Sequence, residues 1–302
     1  MTGLLLIDKP EGLSSFDVVR RVRRSLKIKR VGHGGTLDPF ATGLLPVAVG
    51  DATRLLEYLL GDWKRYRAVM RLGIATDTLD KTGKVIAQSR PDDGVHNRLG
   101  EVFAAHTGLV MQVPPMYSAL KRDGVPLYKL ARRGTEVERK ARQVEIRELK
   151  LLAVEGDDVS FEVYCSKGTY VRTLADDIGR ELGCGAHLTA LRRLASGPFS
   201  LDDALPLETI ETWDWSTPHP RLLSPLQAMS GYPVGQLSCS ARRRLAHGVP
   251  PAAVDVAFDH APEAGELVCL AAGGQLLAMA RCAPDREREK RGDFELRKVF
   301  NT

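Results

Sequence analysis

The chain opens on an unbroken apolar run, Leu4-Leu5-Leu6-Ile7, closed by Asp8-Lys9-Pro10-Glu11-Gly12. The run predicts a short buried strand from Gly3 to Ile7, ended by the proline and glycine of a turn. The next pattern is helical. Val18, Val19, Val22 and Leu26 fall on one face of a 3.6-residue period. Ser14-Ser15-Phe16-Asp17 in front of them has the form of a capping box, so the helix starts there. Leu44 to Val49 predicts a second strand, and Ala52 to Leu60 a short helix.

From Arg65 the period drops to two. Tyr66, Ala68, Met70, Leu72 and Ile74 alternate with Arg65, Arg67, Val69 and Arg71, the signature of a half-buried strand. Lys84 to Gln88 predicts a strand. Val95 to His106 predicts a helix with Leu99, Val102, Phe103 and His106 on one face. Val144 to Cys165 predicts two antiparallel strands turning at Gly156-Asp157-Asp158. Leu174, Ile178 and Leu182 then mark a helix that stops at Gly183. Leu188 to Leu194 predicts another strand, with Arg192-Arg193 exposed. Mixed strands and helices make the class α+β.

Between the first helix and the second strand lies Gly32-His33-Gly34-Gly35-Thr36-Leu37-Asp38-Pro39-Phe40-Ala41-Thr42-Gly43. Glycine lets another backbone or a ligand approach closely. Pro39 biases Asp38 toward an extended conformation, so Asp38 belongs on a loop. Taken alone, the stretch also fits a tight surface turn. Thr76 to Gly83 is a second polar turn; its acids lack the spacing of a calcium loop. For Tyr66, at the start of its strand, a core or edge aromatic is the plainer reading. His106 reads as structural.

Charge changes this picture. The chain has 302 residues, 43% hydrophobic and 27% charged, with a net charge of +5. The excess is concentrated. Arg20, Arg21, Arg23, Arg24, Lys27, Lys29 and Arg30 put seven cations into eleven positions along the first helix and just beyond. A solvated face normally mixes signs, so an unmixed basic face points to phosphate. Pro114 to Arg142 forms a second basic segment, with Lys121, Arg122, Lys129, Arg132, Arg133, Arg139, Lys140 and Arg142 around Tyr117 and Tyr128. Aromatics among cations suit unpaired RNA bases. Arg172 falls in the first turn of its helix, where a cation is disfavoured by the dipole and so implies an anionic partner.

Other chemistries lack their residues. There is no P-loop, no G-x-S-x-G elbow and no His or Cys set for zinc, so no metal and no cofactor are expected. A glycosidase needs two placed carboxylates, and only Asp38 sits in a glycine-rich, pocket-like setting. Five scattered cysteines argue against a disulfide framework and for a reducing cytoplasm. No apolar run approaches the ~20 residues of a membrane span. Thr212 to Pro220 reads as a linker. The domain boundary is expected between it and Tyr232, separating a large first domain at 1–225, with the basic insertion at about 114–142 suited to RNA, from a small β-rich domain at 232–302.

Five motifs carry a resemblance. They are Ile7 to Ser15, the Gly32 to Gly43 stretch, Lys64-Arg65-Tyr66, Pro114 to Lys121, and Lys167 to Leu174. Together, in order and with matching spacing over about residues 3 to 200, they resemble the TruB family. These are bacterial tRNA pseudouridine synthases that modify uridine 55 in the TΨC arm. The resemblance implies the pseudouridine-synthase fold, a mixed, largely antiparallel central sheet flanked by helices and loops, with a small PUA-like C-terminal domain. It also implies roles. Asp38 matches the catalytic aspartate, Tyr66 the tyrosine that stacks on the flipped uracil, and Arg172 the arginine paired with the carboxylate. Such a pairing keeps the acid ionised. His33 matches the histidine that fills the space left by an extruded nucleotide. Tyr170 and Leu191 match residues lining the uridine pocket.

Arg20, Arg23, Arg24, Lys27, Lys121, Arg132 and Arg133 are the candidate RNA contacts. The expected partner is the T-arm of tRNA, bound by a monomer with no obligate protein partner and no membrane. A non-catalytic RNA-binding or tRNA-folding protein is the alternative. Asp38 separates the two, because an acid among RNA contacts repels phosphate. A guide-RNA-dependent subunit is disfavoured by the lack of a basic tail extension and by the intact Pro114 to Arg142 loop.

Overall fold

The computed structural model describes residues 1–59, 63–118, 120–122, 124–131, 133–285 and 292–300 of the 302-residue chain. Its first elements are β1 (Gly3–Lys9), α1 (Ser15–Leu26), β2 (Val31–His33) and β3 (Thr42–Val49). A 3₁₀ turn (Gly50–Leu55) then runs into α2 (Leu56–Leu59). Next come β4 (Lys64–Leu72), β5 (Ile74–Thr76), β6 (Val85–Gln88), α3 (Val95–Ala105) and β7 (Gly108–Gln112). The basic insertion holds β8 (Lys121–Arg122), β9 (Val125–Pro126) and α4 (Leu127–Ala131). Then follow β10 (Arg142–Glu155), β11 (Asp158–Cys165), α5 (Val171–Glu181), β12 (Ala186–Ser196), β13 (Phe199–Ser200), β14 (Leu205–Pro206) and α6 (Leu207–Thr212). The last stretch carries α7 (Pro225–Ala228), β15 (Val234–Leu237), α8 (Cys239–Ala246), β16 (Val256–Ala257), β17 (Leu267–Ala272), β18 (Gln275–Cys282) and β19 (Phe294–Val299).

One large sheet runs in the order β14-β1-β3-β12-β4-β11-β10-β7, with β2 on β3 and β13 on β12. Among the described residues its contacts are antiparallel except β1–β14 and β3–β12. A second sheet, β16-β15-β17-β18-β19, shares a core with β1 and β3 through Leu4, Leu6 and Leu44 against Cys269, Leu276 and Met279.

The unbroken apolar run of β1 now has a physical reason: the strand is covered on both faces. Leu5 and Ile7 join a core with Val18, Val22, Leu174 and Ile178 from α1 and α5. Leu4 and Leu6 join a separate core with Met229, Cys269, Met279 and Phe300. β4 keeps its alternation because solvent takes the other face. Ala68, Met70 and Leu72 are buried, whereas Arg67 and Arg71 are exposed and pair with Glu162 and Asp158.

Three expectations need correction. Thr212 to Pro220 is no free linker. Trp215 packs on the main core and its Nε1 donates to Ser25 Oγ (3.2 Å) and Ile210 O (3.0 Å). The basic face of α1 is not unmixed. Asp17 pairs with Arg20, and more distant acids arrive through the fold, Glu211 at Arg21 and Asp51 at Arg30. Arg193 is not exposed. It is 1% accessible, because β12 is an interior strand held between β3 and β4.

Candidate active site

The loop carrying Asp38 is tied down at several points. Ser15, buried at the start of α1, accepts from Leu37 N (2.8 Å) and donates to Leu37 O (3.1 Å). Ser14 and Asp17 form the expected capping box, which fixes where that helix begins. Gly12 N donates to Pro39 O (2.8 Å), and Ala41 N closes a turn on Asp38 O (3.1 Å). The glycines mostly serve the protein's own packing. Gly43 has φ +101, and a Cβ there would lie 2.4 Å from Arg193 O, across the parallel contact of β3 with β12. Gly35 has φ +103 and faces the Arg193 guanidinium.

Asp38 opens into a cavity of about 560 Å³, within the range of small-molecule sites. Tyr66, Tyr170, Arg172 and Leu191 share this cavity, so four candidate residues far from Asp38 in the sequence are brought to it. β4 supplies Tyr66 near its start. α5 supplies Arg172 from its first turn, with Tyr170 at the N-cap position just before it. Leu191 comes from β12.

Arg172 is 3% exposed and fully engaged. Its Nε lies 2.9 Å from Asp38 Oδ2 and its Nη1 3.4 Å from Asp80 Oδ2. Nη1 also donates to Thr78 O and Nη2 to Tyr117 O, both at 2.8 Å. The anionic partner implied by its position is therefore real, and there are two of them. Asp80 was hidden in what reads as a polar turn. Its Oδ1 accepts from Thr78 Oγ1 (2.8 Å), Thr82 N (2.9 Å) and Thr82 Oγ1 (2.6 Å), which satisfies a carboxylate that is 4% exposed. The expectation of a single placed acid is thus corrected.

The recess pushes Asp38 above the ordinary carboxylate range by desolvation. Arg172 pulls it back, and the neighbouring charge of Asp80 pushes it up again. Pairing therefore opposes the upward shift without cancelling it. Tyr66 is 8% exposed, and burial raises its hydroxyl, with the positive charge of Arg193 opposing. Burial also raises Tyr170. Both phenols are accordingly neutral donors at pH 7.

Lys64 and Arg193 line the same cavity, and neither was a candidate site residue by sequence. Arg193 sits opposite Tyr66 in the β4–β12 register. It donates through Nε to Leu44 O (2.6 Å) and through Nη2 to Gly35 O (3.2 Å). Three cations face one lining carboxylate, a balance that suits a phosphodiester. His33 lies on β2 and is not among the cavity-lining residues. Burial, then the charge of Arg193, hold its imidazole below the usual range.

The basic insertion touches the cavity at its base. Ser118 and Leu120 line it, and Tyr128 N returns to Ser118 O (3.1 Å). Arg133 is exposed. Arg132 and the side chain of Lys121 lie outside the described residues. On α1, Arg20 and Arg24 are exposed, as is Lys27 at its end, while Arg23 is half-buried and donates to Val31 O (2.8 Å).

The chain is similar to known proteins along its whole length. Residues 23–171 match the TruB family pseudouridylate synthase N-terminal domain, and residues 172–229 the tRNA pseudouridylate synthase B C-terminal domain. The chain is 50% identical to the tRNA pseudouridine synthase B of Syntrophotalea carbinolica, over 100% of this chain and 98% of that protein. It is 45% identical to the tRNA pseudouridine synthase B of Geobacter sulfurreducens, over 100% of both. A chain from the structure of an H/ACA RNP bound to a substrate RNA containing 2'-deoxyuridine superposes with a TM-score of 0.74 at 26% identity. That match covers 99% of this chain and 85% of the other. By sequence over its whole length and by its pseudouridine-synthase fold, the chain belongs to the TruB family of pseudouridylate synthases, which are isomerases.

Proposed function

We propose that the protein isomerises uridine 55 in the TΨC loop of tRNA to pseudouridine. The observation that carries this reading is the Asp38–Arg172 pair, set in a cation-rich cavity with two neutral tyrosines and Leu191. The match to curated tRNA pseudouridine synthases supports the substrate class.

The reaction breaks the N1–C1′ bond and forms a C5–C1′ bond. The C5 proton leaves to solvent and N1 gains one, so atoms and charge balance without a cofactor. Asp38 is the acting carboxylate. Attack at C1′, attack at C6 and base-assisted elimination all start from its ionised form, which Arg172 favours. Tyr66 offers a ring for the uracil to stack on and Leu191 an apolar wall. A cavity this recessed requires the uridine to leave its stack, at a cost of a few kcal/mol that RNA contacts must offset. Arg20, Arg24, Lys27 and Arg133 are proposed as phosphate contacts. The 232–302 segment is proposed as a PUA-like module that adds contacts on the acceptor side.

The test is incubation with an unmodified tRNA transcript and no cofactor, followed by mapping of pseudouridine. One modified position at uridine 55 is expected. Binding without modification would favour the RNA-folding alternative.

A further inference from the structure

Phe16 is 54% exposed. Among the described residues it is the one exposed aromatic side chain; the others are buried or half-buried. Its surroundings are specific. The guanidinium carbons of Arg20 and Arg23 stand 5.8 and 5.6 Å from its ring centroid. Phe16 also heads a stripe. Phe16, Arg20, Arg24 and Lys27 are exposed and recur at helical spacing along α1. Over these eleven steps the stripe runs about 16 Å.

The head of the stripe is next to the reacting loop. Ser15, the preceding residue, holds both backbone groups of Leu37, and Leu37 precedes Asp38. Phe16 does not line the Asp38 cavity but stands at this corner outside it, where an RNA strand whose uridine reaches Asp38 can lay a neighbouring nucleotide. In a loop that neighbour is unpaired, with a free base face. Aromatic rings take such faces without regard to sequence, and flanking arginines add cation–π and phosphate attraction.

We propose that Phe16 is a stacking platform for an unpaired base adjoining the target uridine, with the following phosphates laid along Arg20, Arg24 and Lys27. The inference rests on the RNA reading above. Stacking and charge separate experimentally, because only phosphate contacts release counterions.

The test compares the equilibrium affinity of wild type, Phe16→Ala, Phe16→Leu and Phe16→Trp for an unmodified T-arm stem-loop RNA at several salt concentrations. Phe16→Ala is expected to bind about tenfold more weakly. Phe16→Leu keeps apolar bulk and is expected to be nearly as weak, while Phe16→Trp restores affinity. The salt slope is expected to be the same in all four, whereas Arg24→Gln lowers its magnitude by about one. Phe16→Ala or Phe16→Leu binding within twofold of wild type would overturn the proposal and assign the ring to another kind of partner. Pseudouridine formation on the same stem-loop is read in parallel. Turnover with ring-independent affinity sinks the platform alone. Ring-dependent affinity without turnover sinks the isomerase reading alone.

Discussion

Arg172, in the first turn of α5, and Asp38, on the loop between β2 and β3, meet at 2.9 Å, and the arginine is the more deeply buried partner. Its guanidinium is fixed on every side. The polar turn supplies Thr78 O and Asp80, and the segment after β7 supplies Tyr117 O. A planar fork can meet these groups together; an ammonium cannot. Arg172→Lys is therefore expected to lose roughly 2–4 kcal/mol of stability. It should also slow single-turnover pseudouridine formation by about 100-fold or more, since a misplaced reacting group costs that much. Affinity for tRNA should change only a few-fold. An unaltered rate would mean that charge alone suffices and the fork is incidental.

Asp38→Asn separates chemistry from stability. Asparagine still accepts from Arg172 Nε but supplies no carboxylate, so turnover should fall by about 10⁴-fold or more. Stability should move the other way. Because the folded state raises this pKa, it holds the proton more tightly than the unfolded chain does. The ionised acid then costs stability, a cost absent below the ordinary value of 3.8 and complete once pH has risen through the folded pKa. Thermal unfolding should find the variant at least as stable as wild type at pH 7, with the difference closing in acid. A variant melting well below wild type at pH 7 would contradict the direction of the shift.

Much of this site was legible in the sequence because its parts carry local constraints. Ser14 and Asp17 announce the start of α1, and Pro39 beside glycine announces a loop. Arg172 in a first turn announces an acid without naming it. The misses share one cause. Asp80 among threonines looks like any turn acid, and its burial exists only once α5 places Arg172 over it. Arg192 and Arg193 are the same residue type side by side. The pairing of β12 between β3 and β4 buries Arg193, while Arg192 reaches Asp8 at 2.6 Å and keeps 41% of its side chain exposed. Strand order is long-range information, and a residue pattern does not contain it.

Arg193 joins three parts of the site: Leu44 O in β3, Gly35 O in the Asp38 loop, and the surroundings of the Tyr66 hydroxyl. Arg193→Met keeps much of the bulk and removes every donor. The buried Leu44 carbonyl and the partly buried Gly35 carbonyl then lose a partner, at a cost of about 2–4 kcal/mol in total. Tyr66→Phe removes only the hydroxyl and keeps the stacking ring. It should fold normally, and any loss should appear in kcat rather than KM. Chemical denaturation and steady-state kinetics on tRNA check the pair. Equal stability of Arg193→Met and wild type would remove Arg193 from the framework of the loop.

Lys9 gives a test that depends on pH alone. It has no solvent exposure, and its Nζ donates to Pro10 O (2.8 Å), Leu13 O (2.6 Å) and Pro39 O (3.3 Å). The last of these is the carbonyl of the residue after Asp38, so the ammonium helps to pin the reacting loop. Burial lowers the lysine from 10.5 to about 8, with the charge of Asp38 the main opposing influence. The folded protein thus gives up this proton more easily than the unfolded chain. The corresponding stability is fully present above pH 10.5 and is lost as pH falls through 8. Lys9→Met removes the titration and leaves the other groups to cancel in the comparison. The unfolding free energy of wild type minus that of the variant should therefore grow as pH rises from 8 toward 10.5. A flat difference across that window would show that Lys9 titrates as an ordinary lysine, and that its three carbonyl contacts hold the ammonium without the desolvation inferred for it.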